Sequence, residues 1–173
     1  MRNHLALVGF MAAGKSTVGK RLARKLKMPF VDVDDVITRE HGPIADIFYS
    51  QGETTFREYE HDAIARAITN EPSVLALGGG AATFAPTLKL LKKHTYRIFI
   101  KVPVEVIAGR LAHSPRVRPL LGPHPSLHRI RELYEKRTSS YANCDLVVTA
   151  EHLRAPQIVD HIVEWVHRKK LVL

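Results

Sequence analysis

The chain carries the stretch Gly9-Phe10-Met11-Ala12-Ala13-Gly14-Lys15-Ser16, with Thr17 directly behind it. Its pattern, G-x-x-x-x-G-K-S, is typical of a loop whose backbone N–H groups curl around a phosphate chain. The lysine brings a positive charge to the β- and γ-phosphates, and the serine hydroxyl can bind Mg²⁺. The stretch therefore predicts a site for a nucleoside triphosphate and Mg²⁺.

The residues on both sides of this loop are those that the motif requires. Leu5-Ala6-Leu7-Val8 is a short apolar run, which is typical of a buried parallel strand. Behind the loop, Val18, Leu22 and Leu26 recur at helical spacing with basic residues between them. A chance match to the pattern is the alternative, and a strand before it with a helix after it argues against chance.

The whole chain sets further bounds. It has 173 residues and one cysteine, Cys144. This length fits one domain, and we expect a single domain over residues 1–173. A lone cysteine excludes an internal disulfide and is typical of a reducing compartment, so we expect a cytoplasmic protein. Because no apolar run approaches the ~20 residues of a membrane span, we expect no membrane association.

The formal net charge is +9 with the histidines neutral. The basic residues are scattered through the predicted helices, and no aromatic-interleaved RNA-binding motif accompanies them. A positive field that concentrates anionic ligands is the simpler explanation. We therefore expect no nucleic-acid partner, and we expect a monomer.

Predicted strands and helices alternate along the chain, which is typical of a parallel sheet covered by helices on both faces. The predicted strands span residues 4–8, 30–33, 74–77, 96–102 and 146–149. The fold class that follows is α/β, a three-layer αβα sandwich with a five-stranded parallel sheet. In such folds, ligands gather at the carboxyl ends of the strands.

Carboxylates stand where the second predicted strand ends, in Val31-Asp32-Val33-Asp34-Asp35. If the strand persists that far, alternation puts Asp32 and Asp34 on the same side. One carboxylate can then reach the metal, and the other can accept a proton from a substrate hydroxyl. Alternatively, one or more of them caps a helix that starts near Val36, and Asp35 is the best candidate for that cap.

A long helix is predicted over residues 53–69, and it places Phe56, Arg57 and Glu60 on one side. One interpretation is a surface ion pair, worth ~0–1 kcal/mol. The other is a guanidinium held in place to face an anionic ligand, because arginine is planar and bidentate toward a carboxylate. The sequence favours neither interpretation.

Gly78, Gly79 and Gly80 follow the third predicted strand. Missing side chains allow another group to approach the backbone closely, whereas a plain tight turn is the alternative. This strand carries no terminal acidic residue, although many phosphate-loop enzymes hold Mg²⁺ with one there. The metal is therefore assigned to Asp32.

Residues 113–125 contain four prolines and one glycine, which excludes a continuous helix or strand there. A basic loop between two helices is a candidate lid that closes over phosphates, expels water and supplies positive charge. A static surface connector is the alternative.

Taken in order, these residues resemble the shikimate kinase family, small kinases of the nucleoside-monophosphate-kinase-like fold. The resemblance runs over nearly the whole chain, and the ordered set of motifs is far more specific than the phosphate loop alone. The motifs behind the loop are Asp32-Val33-Asp34, Ile44-Ala45-Asp46-Ile47-Phe48, Gly52-Glu53, Phe56-Arg57, Glu60, Leu77-Gly78-Gly79-Gly80-Ala81, Arg118-Pro119-Leu120-Leu121 and Lys136-Arg137 with Tyr141.

The resemblance implies a P-loop NTPase fold with a mobile lid at about residues 113–125 and a substrate-binding segment at about residues 34–61. It implies ATP-dependent phosphorylation of shikimate to shikimate 3-phosphate plus ADP, on the pathway to chorismate and the aromatic amino acids. ATP and Mg²⁺ are the implied cofactors, with Ser16 and Asp32 holding the metal. The implied catalytic residues are Lys15, Asp34 and Arg118.

The resemblance also implies binding residues. Those for ATP are Ala12, Ala13, Gly14, Lys15, Ser16, Thr17, Arg110, Arg118 and Arg154. Those for shikimate are Asp34, Phe48, Phe56, Arg57, Glu60, Gly78, Gly79, Gly80, Arg118, Pro119, Leu120 and Arg137. Arg57 and Arg137 would clamp the shikimate carboxylate, and Asp34 would bind the hydroxyl that is phosphorylated.

The chain departs from the family at position 12, where the family usually has glycine and this chain has Ala12. Since a positive φ would cost alanine of order 1 kcal/mol in strain, we expect right-handed helical geometry there. Two rival functions remain: another small-molecule kinase of the same fold, such as a gluconate kinase, or a nucleotide-dependent binding protein. The second would show strongly salt-dependent affinity for nucleic acid.

Overall fold

The computed structural model describes residues 2–114, 118–141 and 143–173, and a parallel sheet lies at its centre. Its strands are β1 (His4–Val8), β2 (Phe30–Asp32), β3 (Val74–Ala76), β4 (Thr95–Lys101) and β5 (Leu146–Thr149). The order across the sheet is β2-β3-β1-β4-β5, and every neighbouring pair is parallel. The predicted fold class, an α/β fold around a five-stranded parallel sheet, is confirmed.

Helices connect the strands and cover both faces of the sheet. In chain order they are α1 (Lys15–Leu26), α2 (Val33–His41), α3 (Ile44–Ser50), α4 (Gly52–Thr69), α5 (Ala85–His94), α6 (Val104–Ala112), α7 (Leu127–Tyr141) and α8 (Ala155–Arg168), with a 3₁₀ turn at Ala81–Thr83 between β3 and α5. Among the described residues, no helix combines the length and the apolar composition that a membrane crossing needs.

Strand β1 shows why both faces are covered, because its side chains are apolar on either side. Leu5 and Leu7 pack into the core that α1, α6 and α8 share, whereas Ala6 and Val8 pack into the core formed with α2 to α5. A strand that is buried on both faces reads as a continuous apolar run. This is the pattern that the sequence shows before the phosphate loop.

The position of β1 also decides where the ligand site lies. It is flanked by β3 and β4 at the centre of the sheet, so the loop behind it opens onto the crevice at the carboxyl ends of the strands. In open α/β sheets this crevice is where ligands bind.

One predicted boundary is wrong and affects the site. Strand β2 ends at Asp32, and α2 begins at Val33 rather than near Val36. Strand alternation therefore does not relate Asp32 to Asp34. Nor is Asp35 the helix cap: Asp32 takes that position and makes no side-chain capping bond. Asp34 and Asp35 instead lie in the first helical turn, where negative charge favours an early helix start.

The other predicted elements agree with the structure within two residues. Strand β3 is one residue shorter than predicted, and β4 is shifted by one residue toward the amino terminus. Helix α5 and the 3₁₀ turn before it were not predicted from the sequence. Their residues include a proline and several lysines, which obscure the helical pattern.

Candidate active site

A cavity of about 710 Å³ lies at the carboxyl edge of the sheet. The phosphate loop, meaning residues 9–16, forms one side, and α2, α4, α7 and the turn behind β3 form the other. The cavity brings together most of the predicted site residues: Ala12, Gly14, Lys15, Ser16, Thr17, Asp32, Asp34, Phe48, Phe56, Arg57, Gly78, Gly79, Gly80, Arg110, Arg118, Pro119, Leu120 and Arg137.

Lys15 is buried, and the phosphate loop itself holds its ammonium group. Nζ donates hydrogen bonds to the carbonyl oxygens of Gly9 at 2.9 Å and Phe10 at 2.8 Å. Burial lowers the pKa of Lys15 to about 8, while the carboxylates of Asp34 and Asp32 act in the opposite direction. A negatively charged ligand in the cavity would stabilise the charged form in the same way as these carboxylates.

The right-handed helical geometry that was predicted for Ala12 is wrong. Its φ is +59°, in the left-handed region, where the added Cβ costs an L-residue roughly 1–2 kcal/mol. The Ala12 carbonyl accepts a hydrogen bond in this conformation, since Nη1 of Arg110 donates to it at 2.9 Å. The phosphate loop therefore keeps the glycine-like conformation at position 12 although the residue is alanine.

Three predicted residues do not line the cavity. The side chain of Ala13 is buried in the core behind the loop, and Glu60 lies beneath the cavity wall. Arg154 is exposed and occupies the N-cap position of α8. An adenosine contact of Arg154 stays a prediction.

Opposite the phosphate loop, charged side chains surround a turn of glycines. We call this group the arginine pocket; its residues are Asp34, Arg57, Glu60, Gly78, Gly79, Gly80 and Arg137. At its base, Nη1 of Arg57 donates to Oε2 of Glu60 at 2.6 Å, and Nη2 donates to Oε1 of Glu53 at 3.0 Å. Glu60 is 0% exposed and Arg57 is 6% exposed. The surface ion pair is therefore excluded, and a held guanidinium is what the structure shows.

Burial and the neighbouring Arg57 act on the pKa of the Glu60 carboxyl group in opposite directions. Burial raises its pKa to about 7, while Arg57 acts in the opposite direction. Its second oxygen, Oε1, is buried and has no hydrogen-bond partner among the described residues. Removing one partner of such a buried ion pair lowers the stability of the fold, because the remaining charge is left uncompensated.

Arg137, on α7, adds a second guanidinium to the pocket. It is 5% exposed, and it makes no ion pair with any residue that the structure describes. Burial lowers its pKa, and the charge of Arg57 adds to that effect. A buried cation beside another cation calls for an anionic partner. The pocket therefore favours a ligand with a negative group at this place.

The glycine turn, residues 78–80, allows these groups to converge. A Cβ on Gly80 would lie 2.2 Å from Nη2 of Arg57 and 3.0 Å from Nη2 of Arg137. A Cβ on Gly78 would lie 2.2 Å from Oε1 of Glu60 and 3.0 Å from Oδ1 of Asp34. The close approach of these side chains to the backbone therefore explains why Gly78 and Gly80 are glycines. The tight turn, which was the alternative explanation, is present as well.

Aromatic rings and the predicted lid close two further sides of the cavity. The rings of Phe48 and Phe56 lie 4.8 Å apart between centroids and form an apolar wall. In the lid, the N–H groups of Leu121 and Gly122 donate to the Arg118 carbonyl, both at 2.9 Å, and Leu121 is buried in the core. Arg118, Pro119 and Leu120 line the cavity. Residues 115–117 of the predicted lid lie outside the described residues.

Some lining residues were missed by the sequence analysis. They are Met11, Lys20, Asp35, Thr38, Pro43, Ile44, Ala45, Leu77 and Ser114. Helical spacing would have found two of them, because Lys20 lies one turn behind Ser16 and Thr38 lies one turn behind Asp34. In all, six basic and three acidic side chains line the described cavity. Part of the +9 charge is therefore concentrated where anions would bind.

The chain has a phosphate-loop kinase fold of the α/β class. Three features define it: a parallel sheet, a phosphate loop behind its central strand, and a second anion pocket across the same cavity. The family model for shikimate kinase matches residues 11–167. This chain belongs to the shikimate kinase family, and the family predicted from the sequence is confirmed. Members of this family are transferases that phosphorylate shikimate with ATP.

Individual relatives support the same assignment. The chain is 36% identical to a shikimate kinase of Sulfurihydrogenibium sp. over 98% of its own length and all of the relative. It is 41% identical to a shikimate kinase of Zymomonas mobilis, covering 92% of this chain and 90% of that one. The solved shikimate kinase of Acinetobacter baumannii in complex with shikimate is 32% identical, with a TM-score of 0.92, over 99% of this chain and 96% of that chain.

Proposed function

We propose that this chain transfers the γ-phosphoryl group of ATP to a hydroxyl of shikimate, giving shikimate 3-phosphate and ADP. The observation that carries the proposal is the convergence of Arg57 and Arg137 on Gly80, across one cavity from the phosphate loop. Arg57 is paired with Glu60, and Arg137 makes no ion pair among the described residues. A guanidinium without an ion pair suits the carboxylate of shikimate, because arginine binds a carboxylate bidentately.

The phosphate loop would bind and orient ATP. Its backbone and the N-terminus of α1 supply partial positive charge, and Lys15 supplies a full charge at the β/γ-phosphates. Arg110 would sit near the nucleotide, since it holds the loop through the Ala12 carbonyl. These groups would neutralise the negative charge that develops on ADP as it leaves. They act by charge neutralisation rather than by covalent chemistry.

Asp34 would receive the acceptor hydroxyl. Its Oδ1 approaches the same glycine turn as the arginines, and its charge is close enough to affect the pKa of both Lys15 and Glu60. From that position the carboxylate can orient the hydroxyl toward the γ-phosphate and accept its proton. Phe48 and Phe56 would pack against the ring of the substrate and exclude water from that side.

Ser16 and Asp32 fit a Mg²⁺ ion. Both line the cavity, and they offer a hydroxyl and a carboxylate oxygen. Mg²⁺ prefers such hard oxygen ligands and is usually held by one or two of them together with substrate phosphates and waters. When bound, the ion would neutralise charge on the β- and γ-phosphates.

Arg118 would act from the lid. Its side chain lines the cavity, and its charge is near enough to Lys15 to lower the pKa of that lysine. A guanidinium at this place can stabilise the charge on the transferring phosphoryl group and bridge it to the acceptor. Leu121 is buried in the core. It would hold one part of the lid in place while the rest closes over the cavity.

We also propose that the enzyme acts as a cytoplasmic monomer. The phosphate loop and the arginine pocket are supplied by one chain, so the reaction needs no residue from a second copy. The lone cysteine, Cys144, fits a reducing compartment. Sedimentation at assay concentrations, and activity in the soluble fraction of the source cells, are the measurements that test this.

The experiment that tests the function is a coupled assay of ADP formation with ATP, Mg²⁺ and one acceptor at a time. We expect saturable ADP formation with shikimate and the baseline rate with gluconate or without an acceptor. Shikimate methyl ester is the matched control for the arginines, since it keeps the hydroxyls but loses the carboxylate charge. No shikimate-dependent ADP formation would reject the proposal, and preferential turnover of gluconate would favour the rival kinase.

A further inference from the structure

One helix faces the glycine turn with two buried side chains. Arg137 and Tyr141 stand four residues apart on α7, hence on the same side of the helix, and they are 5% and 1% exposed. Arg137 reaches the turn at Gly80, and the hydroxyl of Tyr141 donates a hydrogen bond to the carbonyl oxygen of Gly79. The phenol ring is held in place by Phe99, 5.0 Å away between centroids.

All carbonyl oxygens of the glycine turn are bound by protein donors. The Gly78 carbonyl accepts from the N–H of Ala81 at 3.1 Å, and the Gly80 carbonyl accepts from the N–H and hydroxyl of Thr83. These donors follow the turn directly in the chain. The donor to Gly79 differs, because Tyr141 is 62 residues away and reaches the turn only through the packing of α7.

The planarity of the peptide bond makes this contact important for the cavity. In a trans peptide, the carbonyl of one residue and the N–H of the next point in opposite directions. The hydroxyl that holds the Gly79 carbonyl therefore also fixes the direction of the Gly80 N–H. Among the described residues, the N–H groups of Gly79 and Gly80 donate to no backbone carbonyl. They remain available to a ligand beside the two arginines.

A device of this kind is needed because glycine restrains its backbone poorly. Peptides between glycines rotate with little steric cost, since φ values of either sign are accessible. A flipped peptide would turn the carbonyl oxygen of Gly79 toward the site of the anionic substrate and repel it. Burial raises the pKa of Tyr141, so its hydroxyl stays protonated and able to donate.

We propose that Tyr141 is a positioning residue that locks the Gly79–Gly80 peptide so that its N–H points at an oxygen of the bound substrate. The inference rests on the proposed function, since shikimate supplies that oxygen. It extends the role of α7: the helix brings both a guanidinium and a correctly oriented backbone donor to the same ligand group.

The test compares Tyr141→Phe with Tyr134→Phe in the full-length enzyme. Tyr134 lies on the same helix and also donates from its hydroxyl to a backbone carbonyl, that of Val102 at 3.0 Å, outside the glycine turn. We expect Tyr141→Phe to raise the KM for shikimate about five- to tenfold, with the KM for ATP within about twofold of the wild type. We expect Tyr134→Phe to leave both KM values within about twofold, although it also loses one hydrogen bond.

The outcomes separate this inference from the proposed function. A wild type that forms no ADP with shikimate overturns the function. An active wild type, with a Tyr141→Phe variant whose shikimate KM matches that of Tyr134→Phe, overturns the inference alone. Equal increases in the KM values for shikimate and ATP would also overturn it, since that result indicates general loosening.

A measurement on the wild type keeps the inference testable even if Tyr141→Phe fails to fold. In ¹⁵N-labelled enzyme, titration with shikimate should shift the amide resonance of Gly80 strongly and that of Gly109, a glycine on α6 outside the cavity lining, very little. An unchanged Gly80 resonance at saturating shikimate, under conditions where the wild type turns over, would overturn the inference.

Discussion

The phosphate loop and the arginine pocket face each other across one cavity but are built in opposite ways. The loop consists of consecutive residues, and the contacts of Lys15 reach only five and six residues back along the chain. The pocket gathers residues from α2, α4, the glycine turn and α7. A local sequence pattern can therefore specify the loop, whereas the pocket exists only when distant elements pack.

The two regions also differ in how they treat buried charge. In the loop, one buried ammonium is satisfied by backbone carbonyls. In the pocket, Arg57 is paired with a fully buried carboxylate, and Arg137 is left without an ion pair among the described residues. The difference teaches that buried charge in the loop is balanced by the backbone, while the pocket depends on individual side chains. Substitutions in each region should therefore affect different substrates and different kinetic constants.

The largest effect is expected at Asp34, the residue of the arginine pocket whose charge also acts on Lys15 of the loop. Asp34→Asn keeps the size of the side chain but cannot accept a proton, so we expect kcat to fall about a thousandfold. ATP affinity, measured by titration calorimetry, should stay within about threefold, because the loop is unchanged. A variant that retains full turnover would remove Asp34 from the chemistry.

Arg118→Ala tests whether the lid serves the transition state rather than binding. We expect kcat to fall about a hundredfold while ATP affinity is largely retained. Arg129→Ala is the matched control, since Arg129 is an exposed arginine on α7 whose contacts are a surface pair with Glu132 and a backbone bond to Ser126. Equal turnover in Arg118→Ala and the control would contradict the role of the lid.

Arg137→Ala should affect the pocket and spare the loop. Losing a charge-assisted hydrogen bond to the carboxylate should raise the KM for shikimate about 30-fold, with the KM for ATP nearly unchanged. The matched control is Arg131→Ala on the same helix, because Arg131 pairs with the exposed Glu105 at 3.0 Å. A rise in the KM for ATP as large as that for shikimate would break the separation of the two regions.

The pH dependence should differ between the regions as well. Burial lowers the pKa of Lys15 to about 8, and bound phosphates should raise it again. Above pH 8 the free enzyme loses this charge, so ATP binding must take up a proton and the Kd should rise about five- to sixfold between pH 8 and pH 9. Below pH 7 this group should have little further effect, since it is already protonated.

Calorimetry of ATP binding at pH 9 in buffers with different ionisation enthalpies measures that proton uptake directly. Shikimate binding at pH 9 is the internal control, because the arginines of its pocket stay charged and Glu60, with a pKa of about 7, is already ionised. Binding of ATP at pH 9 without proton uptake would show that Lys15 is already deprotonated in the complex or never lost its proton.

The smallest effect is expected at Ala12. Ala12→Gly removes the strain of a left-handed alanine but adds flexibility to the unfolded chain, so we expect a net gain of about 0.5–1 kcal/mol in the free energy of unfolding. Ala13→Gly is the control: Ala13 is buried and has no positive φ, so its replacement should destabilise the fold. Urea unfolding measures both, and a destabilised Ala12→Gly would contradict the strain.

Much of the architecture could be predicted because it depends on local patterns. The apolar run before Gly9, the helical spacing behind Ser16 and the alternation of strands and helices are properties of short stretches, and they gave the parallel sheet and the loop. The order of motifs along the chain gave the family. One error lies at the end of an element: the start of α2 at Val33 was missed because strand and helix patterns overlap there. The other is α5, which was not predicted because a proline and several lysines obscure its helical pattern.

What the sequence by itself determined is therefore the phosphate loop, the fold class and the family. Only the tertiary structure decided that Arg57 and Glu60 are buried, that Ala12 is left-handed, that Arg154 lies outside the cavity lining, and that Tyr141 holds the glycine turn. Each of these depends on which distant residues come into contact, and burial turns an ion pair of little value into a fixed part of a site. A surface ion pair and a buried ion pair have the same spacing of their two residues along a helix, so no local pattern distinguishes one from the other.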